Sequence, residues 1–117
     1  MINTLTFNVG SSSLKIRHYQ NNAYFWTATI DLLQKSIHFQ GIPPVLCESL
    51  TITGNLVTDT CNFVDLLSLS TNMVFVHRVV HGGDYQHAQE LNPTVLAELE
   101  RLAPLCPLHQ PPALAVI

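Results

Sequence analysis

Apolar and polar residues alternate from the start of the chain. Leu5, Phe7 and Val9 are interleaved with Thr4, Thr6 and Asn8, the period of two that marks a half-buried strand. After Gly10-Ser11-Ser12-Ser13 the alternation resumes, Leu14 and Ile16 against Lys15 and Arg17, which predicts a return strand and a hairpin. Residues 23–30 are aromatic and β-branched and follow the turn Gln20-Asn21-Asn22, so a third strand completes a meander. A short fourth strand is expected over residues 36–40, before the breaker Gly41-Ile42-Pro43-Pro44. Residues 46–53 read as extended up to Gly54-Asn55.

The period then lengthens. Phe63, Leu66, Leu67 and Ser70 fall at helical spacing, predicting one amphipathic helix over residues 59–70 with Asp59 or Thr60 as its N-cap. Residues 73–80 are apolar except for His77 and Arg78, the composition of a central strand buried on both faces. A second helix begins at Pro93 behind the cap Asn92, is carried by Val95, Leu96, Leu99 and Leu102, and stops at Pro104. The proline-punctuated stretch that follows turns apolar from Ala113 to Ile117 and reads as helix up to the last residue.

At 117 residues the chain fits one domain with a real core. Only 11% of it is charged, well under the roughly 25% usual for soluble domains, so part of the surface is expected to be covered. Five lysines and arginines against a net charge of −3 cannot form the basic stripe that nucleic-acid binding needs. Cys47, Cys61 and Cys106 are widely spaced without a Cys-x-x-Cys pair, which argues for reduced thiols over a disulfide framework or a zinc knuckle. With no leader-like N-terminus and no run of membrane-spanning length, the expected location is cytoplasmic, with no membrane partner.

Two stretches carry candidate chemistry. In the first, residues 8–15, a glycine and three serines offer backbone N–H groups and hydroxyls unobstructed by bulky side chains, which suits phosphate oxygens. Asn8 and Lys15 flank this turn on strands able to face one cleft; the bland alternative is a polar hairpin turn. In the second, His77-Arg78-Val79-Val80-His81-Gly82-Gly83, a guanidinium sits in an apolar strand. It is expected either to pair with an acidic side chain or to reach an anionic ligand that its planar fork can grip. Four residues of strand separate His77 from His81 by roughly 13 Å, too far to share one metal. His77 is then expected to be a hydrogen-bonded structural histidine, with His81 open to a ligand contact and His38 and His87 on the surface. No Gly-x-Ser-x-Gly elbow accompanies the serines, so serine hydrolysis is discounted.

Taken together and in order, these motifs resemble the N-terminal part of the acetate kinase family of carboxylate phosphotransferases. That family carries an N-x-G-S-S-S-x-K hairpin, an H-R-x-x-H-G-G strand end, L-A-P-L and then L-H-x-P. Here they appear as residues 8–15, residues 77–83, residues 102–105 and Leu108-His109-Gln110-Pro111. The resemblance implies an α/β chain with a mixed β-sheet and flanking helices, the N-terminal part of an actin-like (sugar-kinase and Hsp70-like, ribonuclease H-like) domain. Residues 1–117 would form an incomplete N-terminal domain of such an enzyme. By the same resemblance, Asn8 helps position Mg2+, and Gly10, Ser11, Ser12, Ser13 and Lys15 hold the phosphates of ATP. Arg78 and His81 meet the short-chain carboxylate or its phosphate. Val9 stands where the family often has cysteine, and Pro112-Ala113 where it usually has asparagine. The family's catalytic aspartate, second active-site arginine, adenosine-binding segments and C-terminal glutamate have no counterpart here. The chain alone is therefore expected to be inactive and to self-associate, the whole enzyme being a homodimer that makes acetyl phosphate from ATP and acetate, or acts on propionate or butyrate. The competing expectation is a noncatalytic anion-binding or interaction module.

Overall fold

The computed structural model describes residues 3–41, 50–67, 73–79, 82–105 and 110–117. Four strands follow one another, β1 (Asn3–Val9), β2 (Ser13–Gln20), β3 (Ala23–Asp31) and β4 (Ser36–Gly41), each antiparallel to the last. Helix α1 (Leu56–Leu66) then leads to β5 (Met73–His77), which returns parallel to β1, so the sheet has the order β4-β3-β2-β1-β5. Helix α2 (Pro93–Arg101), a single 3-10 turn (Ala103–Leu105) and helix α3 (Gln110–Val116) complete the described elements. This is the mixed sheet with helices expected above.

The expected alternation is what builds the core. Leu5, Phe7 and Val9 of β1, Leu14 and Ile16 of β2, and Trp26, Ala28 and Ile30 of β3 are buried on one face of the sheet, where Phe63 of α1 packs edge-on against Trp26 at 5.8 Å. Val64, Leu67 and Val116 close the same layer. The β2–β3 turn takes Asn21 and Asn22 into the left-handed region (φ 48° and 68°), the geometry that matches a two-residue hairpin to the strand twist. Beyond it His18 pairs with Trp26 but Tyr19 with Tyr24, so Phe25 is bulged out of the ladder.

Three expectations are corrected. Helix α1 starts at Leu56, not near residue 59: Gly54 (φ +91°) turns the chain, and the Asn55 side chain accepts from Thr58 N at 3.0 Å as the N-cap. Asp59 lies inside the first turn instead. Its fully buried carboxylate accepts from Thr53 N (2.8 Å), Thr53 Oγ1 (2.8 Å) and Gly54 N (3.0 Å), tying the preceding loop to the helix. Residues 50–53 form no strand, and the rest of the expected extended stretch lies outside the described residues. The largest change concerns β5. Apolar as it is, among the described residues it pairs only with β1 and stands at the sheet edge, with Val74, Phe75 and Val76 each 46–48% exposed.

Helix α2 follows the reading closely: the Asn92 side chain accepts from Val95 N at 2.9 Å, Pro93 occupies the first turn, and Val95 and Leu99 are buried. Gln110, which the pattern did not single out, is fully buried and donates from Nε2 to the Leu99 carbonyl at 3.2 Å. The Leu99 carbonyl, which also accepts from Leu102 N at 3.2 Å, thereby ties the start of α3 to the last turn of α2.

Candidate active site

Strands β1 and β5 run in parallel, and β5 ends with His77 opposite Phe7, two residues before the end of β1. The carboxyl ends of parallel strands are where open α/β sheets place their ligands, and both motifs converge there. The hairpin leaves β1 at Val9, and the Gly10 N–H donates to the Ser13 carbonyl at 2.7 Å to close the turn. A Cβ on Gly10 would come within 2.9 Å of Ser13 Oγ, which would have to rotate aside, while the Ser13 carbonyl would stay at an ordinary 3.6 Å. The Ser12 carbonyl accepts from Leu32 N at 2.9 Å, anchoring the turn to the loop that follows β3. Asp31 shapes that loop in turn, its Oδ1 accepting from Leu33 N (3.1 Å) and Gln34 N (2.9 Å).

The Gly10 N–H is engaged within the turn and is not a free donor. The Ser11 and Ser12 N–H groups and the three serine hydroxyls are the donors left without a protein partner among the described residues. Asn8 and Lys15 are cross-strand partners. Each alternates with buried residues, so both side chains leave the sheet on the face away from α1. Asn8 is exposed and Lys15 half-buried.

Arg78 is the first residue past β5. Its N–H donates to the Phe7 carbonyl at 2.9 Å, one residue before Asn8. The side chain is exposed and makes no ion pair among the described residues; the ion pair found there joins Arg101 to Glu98. Of the two alternatives left open by the sequence, an internal salt bridge is thus not what holds this guanidinium within the described residues. His77 departs from expectation as well: its ring stacks on Phe7 (centroids 4.8 Å apart, planes 12° apart), and its buried Nδ1 has no hydrogen-bond partner among the described residues. Burial lowers the pKa of His77 below the ordinary imidazole value and thereby favours the neutral ring. His38 and His87 are exposed, as expected, and His81 lies outside the described residues.

Two further features bear on chemistry. A groove of about 690 Å³ runs along β5, lined by Phe75, Val76 and His77 on one side and Tyr85, Val95 and Leu99 on the other. It lies off the serine turn and follows the uncovered strand edge. Among the described residues no group of three or more His, Cys, Asp or Glu is placed to hold a metal ion. At the strand ends Asn8 contributes a single neutral oxygen.

An open α/β sheet with a small-residue turn, a lysine and an arginine unpaired among the described residues at its parallel strand ends places this chain in the class of open-sheet α/β proteins. The comparisons narrow the class to one family. The profile of the acetokinase family matches residues 3–117, and the chain belongs to that family. It is 33% identical over 133 residues to the acetate kinase of Borrelia hermsii (strain HS1 / DAH), an alignment covering 97% of this chain and 31% of that protein. To the probable acetate kinase of Neurospora crassa it is 26% identical, with 97% and 29% covered. Among solved structures, acetate kinase from Entamoeba histolytica superposes with a TM-score of 0.69 at 28% identity, over 97% of this chain and 30% of that one. A propionate kinase from Francisella tularensis subsp. tularensis SCHU S4 gives the same TM-score at 23% identity, covering 97% and 32%, which speaks for a shared fold. The sheet described here is accordingly part of an actin-like α/β fold, and the chain spans about a third of the length of these relatives.

Proposed function

We propose that this chain is the N-terminal part of a carboxylate kinase that transfers the γ-phosphate of ATP to acetate, giving acetyl phosphate. Residues 1–117 then form an incomplete N-terminal domain and one wall of the reaction cleft. The observation that carries the reading is that the residue 8–15 hairpin and Arg78 leave the sheet from the neighbouring carboxyl ends of β1 and β5. In-line phosphoryl transfer asks little covalent chemistry of a protein; it needs donors and cations that hold oxygens in place as charge develops. In this reading the Ser11 and Ser12 amides, the serine hydroxyls and Lys15 hold phosphate oxygens. Arg78 offers its two-pronged fork to the carboxylate or to the acyl phosphate formed from it, with His81 nearby in sequence. Propionate or butyrate is the alternative acid in the same proposal.

Mg2+ would neutralise phosphate charge when bound. The residues placed here do not make a metal site of their own, because Asn8 brings one neutral oxygen and Asp31 is engaged by two backbone amides. Asn8 is then at most one contributor beside phosphate oxygens, in keeping with the few protein ligands this ion usually takes. Widely spaced cysteines without a Cys-x-x-Cys pair fit a cytoplasmic protein, and Cys61 is an exposed free thiol. A homodimeric whole enzyme is part of the same proposal.

The reading is tested by titrating inorganic phosphate into the purified chain and following backbone amides by NMR. Ser11 and Ser12 are expected to move first, with Gly10, Ser13 and Lys15 beside them. Shifts confined to other regions, or none at high millimolar phosphate, contradict the reading. With one wall of the cleft present, the chain alone is expected to show no acetate-dependent turnover of ATP in a coupled assay.

A further inference from the structure

His77 is a buried-edge imidazole that the phosphate chemistry does not use, and its surroundings suggest what it is for. β5 is held on one side only: among the described residues β1 is its sole partner, and the ladder ends at the Phe7–His77 pair. An edge strand frays at its ends unless side chains pin it. Arg78 leaves from that end, and the one backbone bond fixing it, Arg78 N to the Phe7 carbonyl at 2.9 Å, goes to the residue on whose ring His77 stacks at 4.8 Å. Phe7 is itself closely packed, being 3% exposed, paired with Ile16 on its other side, and met edge-on by Phe75 at 5.6 Å. Its next residue is Asn8, opposite Lys15. One phenylalanine thus joins the two motifs, through its carbonyl to Arg78 and through its ring to His77.

We propose that His77 is a positioning residue: its ring, stacked on Phe7, clamps the end of β5 so that the Arg78 guanidinium starts level with Asn8 and Lys15. This rests on the reading of Arg78 as an anion contact. The flat face of the ring supplies the clamp, so a phenylalanine in its place keeps the function while an alanine loses it.

The test compares the wild-type chain with His77→Ala, His77→Phe and Phe7→Leu, measuring hydrogen exchange of the Arg78 amide and the phosphate affinity reported by the Ser11 and Ser12 amides. In His77→Ala the Arg78 amide is expected to lose protection by about tenfold, the scale of one lost ring contact, while amides of Ile16 and Ala28 deep in the sheet keep theirs. Phosphate affinity falls with it, and His77→Phe restores both. Phe7→Leu, which keeps a side chain of core type but removes the flat face, reproduces the loss should His77→Ala fail to fold. Unchanged Arg78 protection in the alanine and leucine variants, or no recovery in His77→Phe, overturns the proposal. Full Arg78 protection in a wild-type chain that binds no phosphate overturns the anion reading of the site instead, leaving the clamp standing.

Discussion

Asp59 shows how much a single buried carboxylate can organise. It accepts three hydrogen bonds from Thr53 and Gly54 and has no exposed surface, so Asp59→Ala removes the acceptor of two part-buried backbone donors in the loop before α1. At about 1–3 kcal/mol for each unsatisfied buried group, a loss of about 2–4 kcal/mol is expected, read as a drop in the urea midpoint. A loss below about 0.5 kcal/mol would show that water takes over the acceptor role. The sequence exposed this residue as a helix-start signal but not its role, because Asn55 four residues earlier is an equally good cap and only the Gly54 turn decides between them. The strand histidines are a second case at this scale. Burial lowers the pKa of both His18 and His77, so the unfolded chain takes up protons before the folded one. Stability is therefore complete above the unfolded imidazole value of about 6.5 and falls as pH drops from there toward the folded values. Urea midpoints between pH 7.5 and 5.5 should decline, less steeply in His77→Phe; a flat profile would contradict the burial of these rings.

Among the elements, β1 to β4 and α2 were legible because each carries a clean period and its own punctuation, Asn21-Asn22 between strands and Asn92-Pro93 before the helix. The bulge at Phe25 was not, since Tyr24, Phe25 and Trp26 are all aromatic and an unbroken aromatic run conceals a shift of register. The place of β5 was misread for a related reason. Its composition specifies a strand to be covered on both faces, whereas neighbours are supplied by the rest of the fold, and the described residues supply one. An uncharged edge without proline or lysine invites pairing with another chain. The apolar end of α3 was the surface expected to adhere, and Ile117 there is 37% exposed, but β5 is the longer uncovered stretch. The isolated chain is expected to self-associate through it, and Val76→Lys, which places a charge on that edge, should lower the mass seen by light scattering. An unchanged mass would move the contact elsewhere.

For the molecule as a whole, the candidate site was legible as two motifs but not as one place. Sequence spacing put 62 residues between Lys15 and Arg78, and the parallel return of β5 beside β1 is what closes that gap, through a crossover that no local pattern encodes. The donor inventory also needed the fold: Gly10 spends its N–H on the turn, which leaves Ser11, Ser12 and Lys15 as the proposed donors. The account stands on these groups and Arg78 meeting a single anion. The measurement that tests this most directly is the phosphate titration of Ser11 and Ser12 amides in Arg78→Ala beside wild type. Arg78 is exposed and unpaired among the described residues, so the variant should fold normally while its midpoint moves to about tenfold higher phosphate, the loss of one charge-assisted contact. Arg78→Lys should recover little of it, lacking the planar fork. A midpoint in Arg78→Ala equal to that of the wild type would mean that the hairpin and the arginine serve different partners, and would contradict the account.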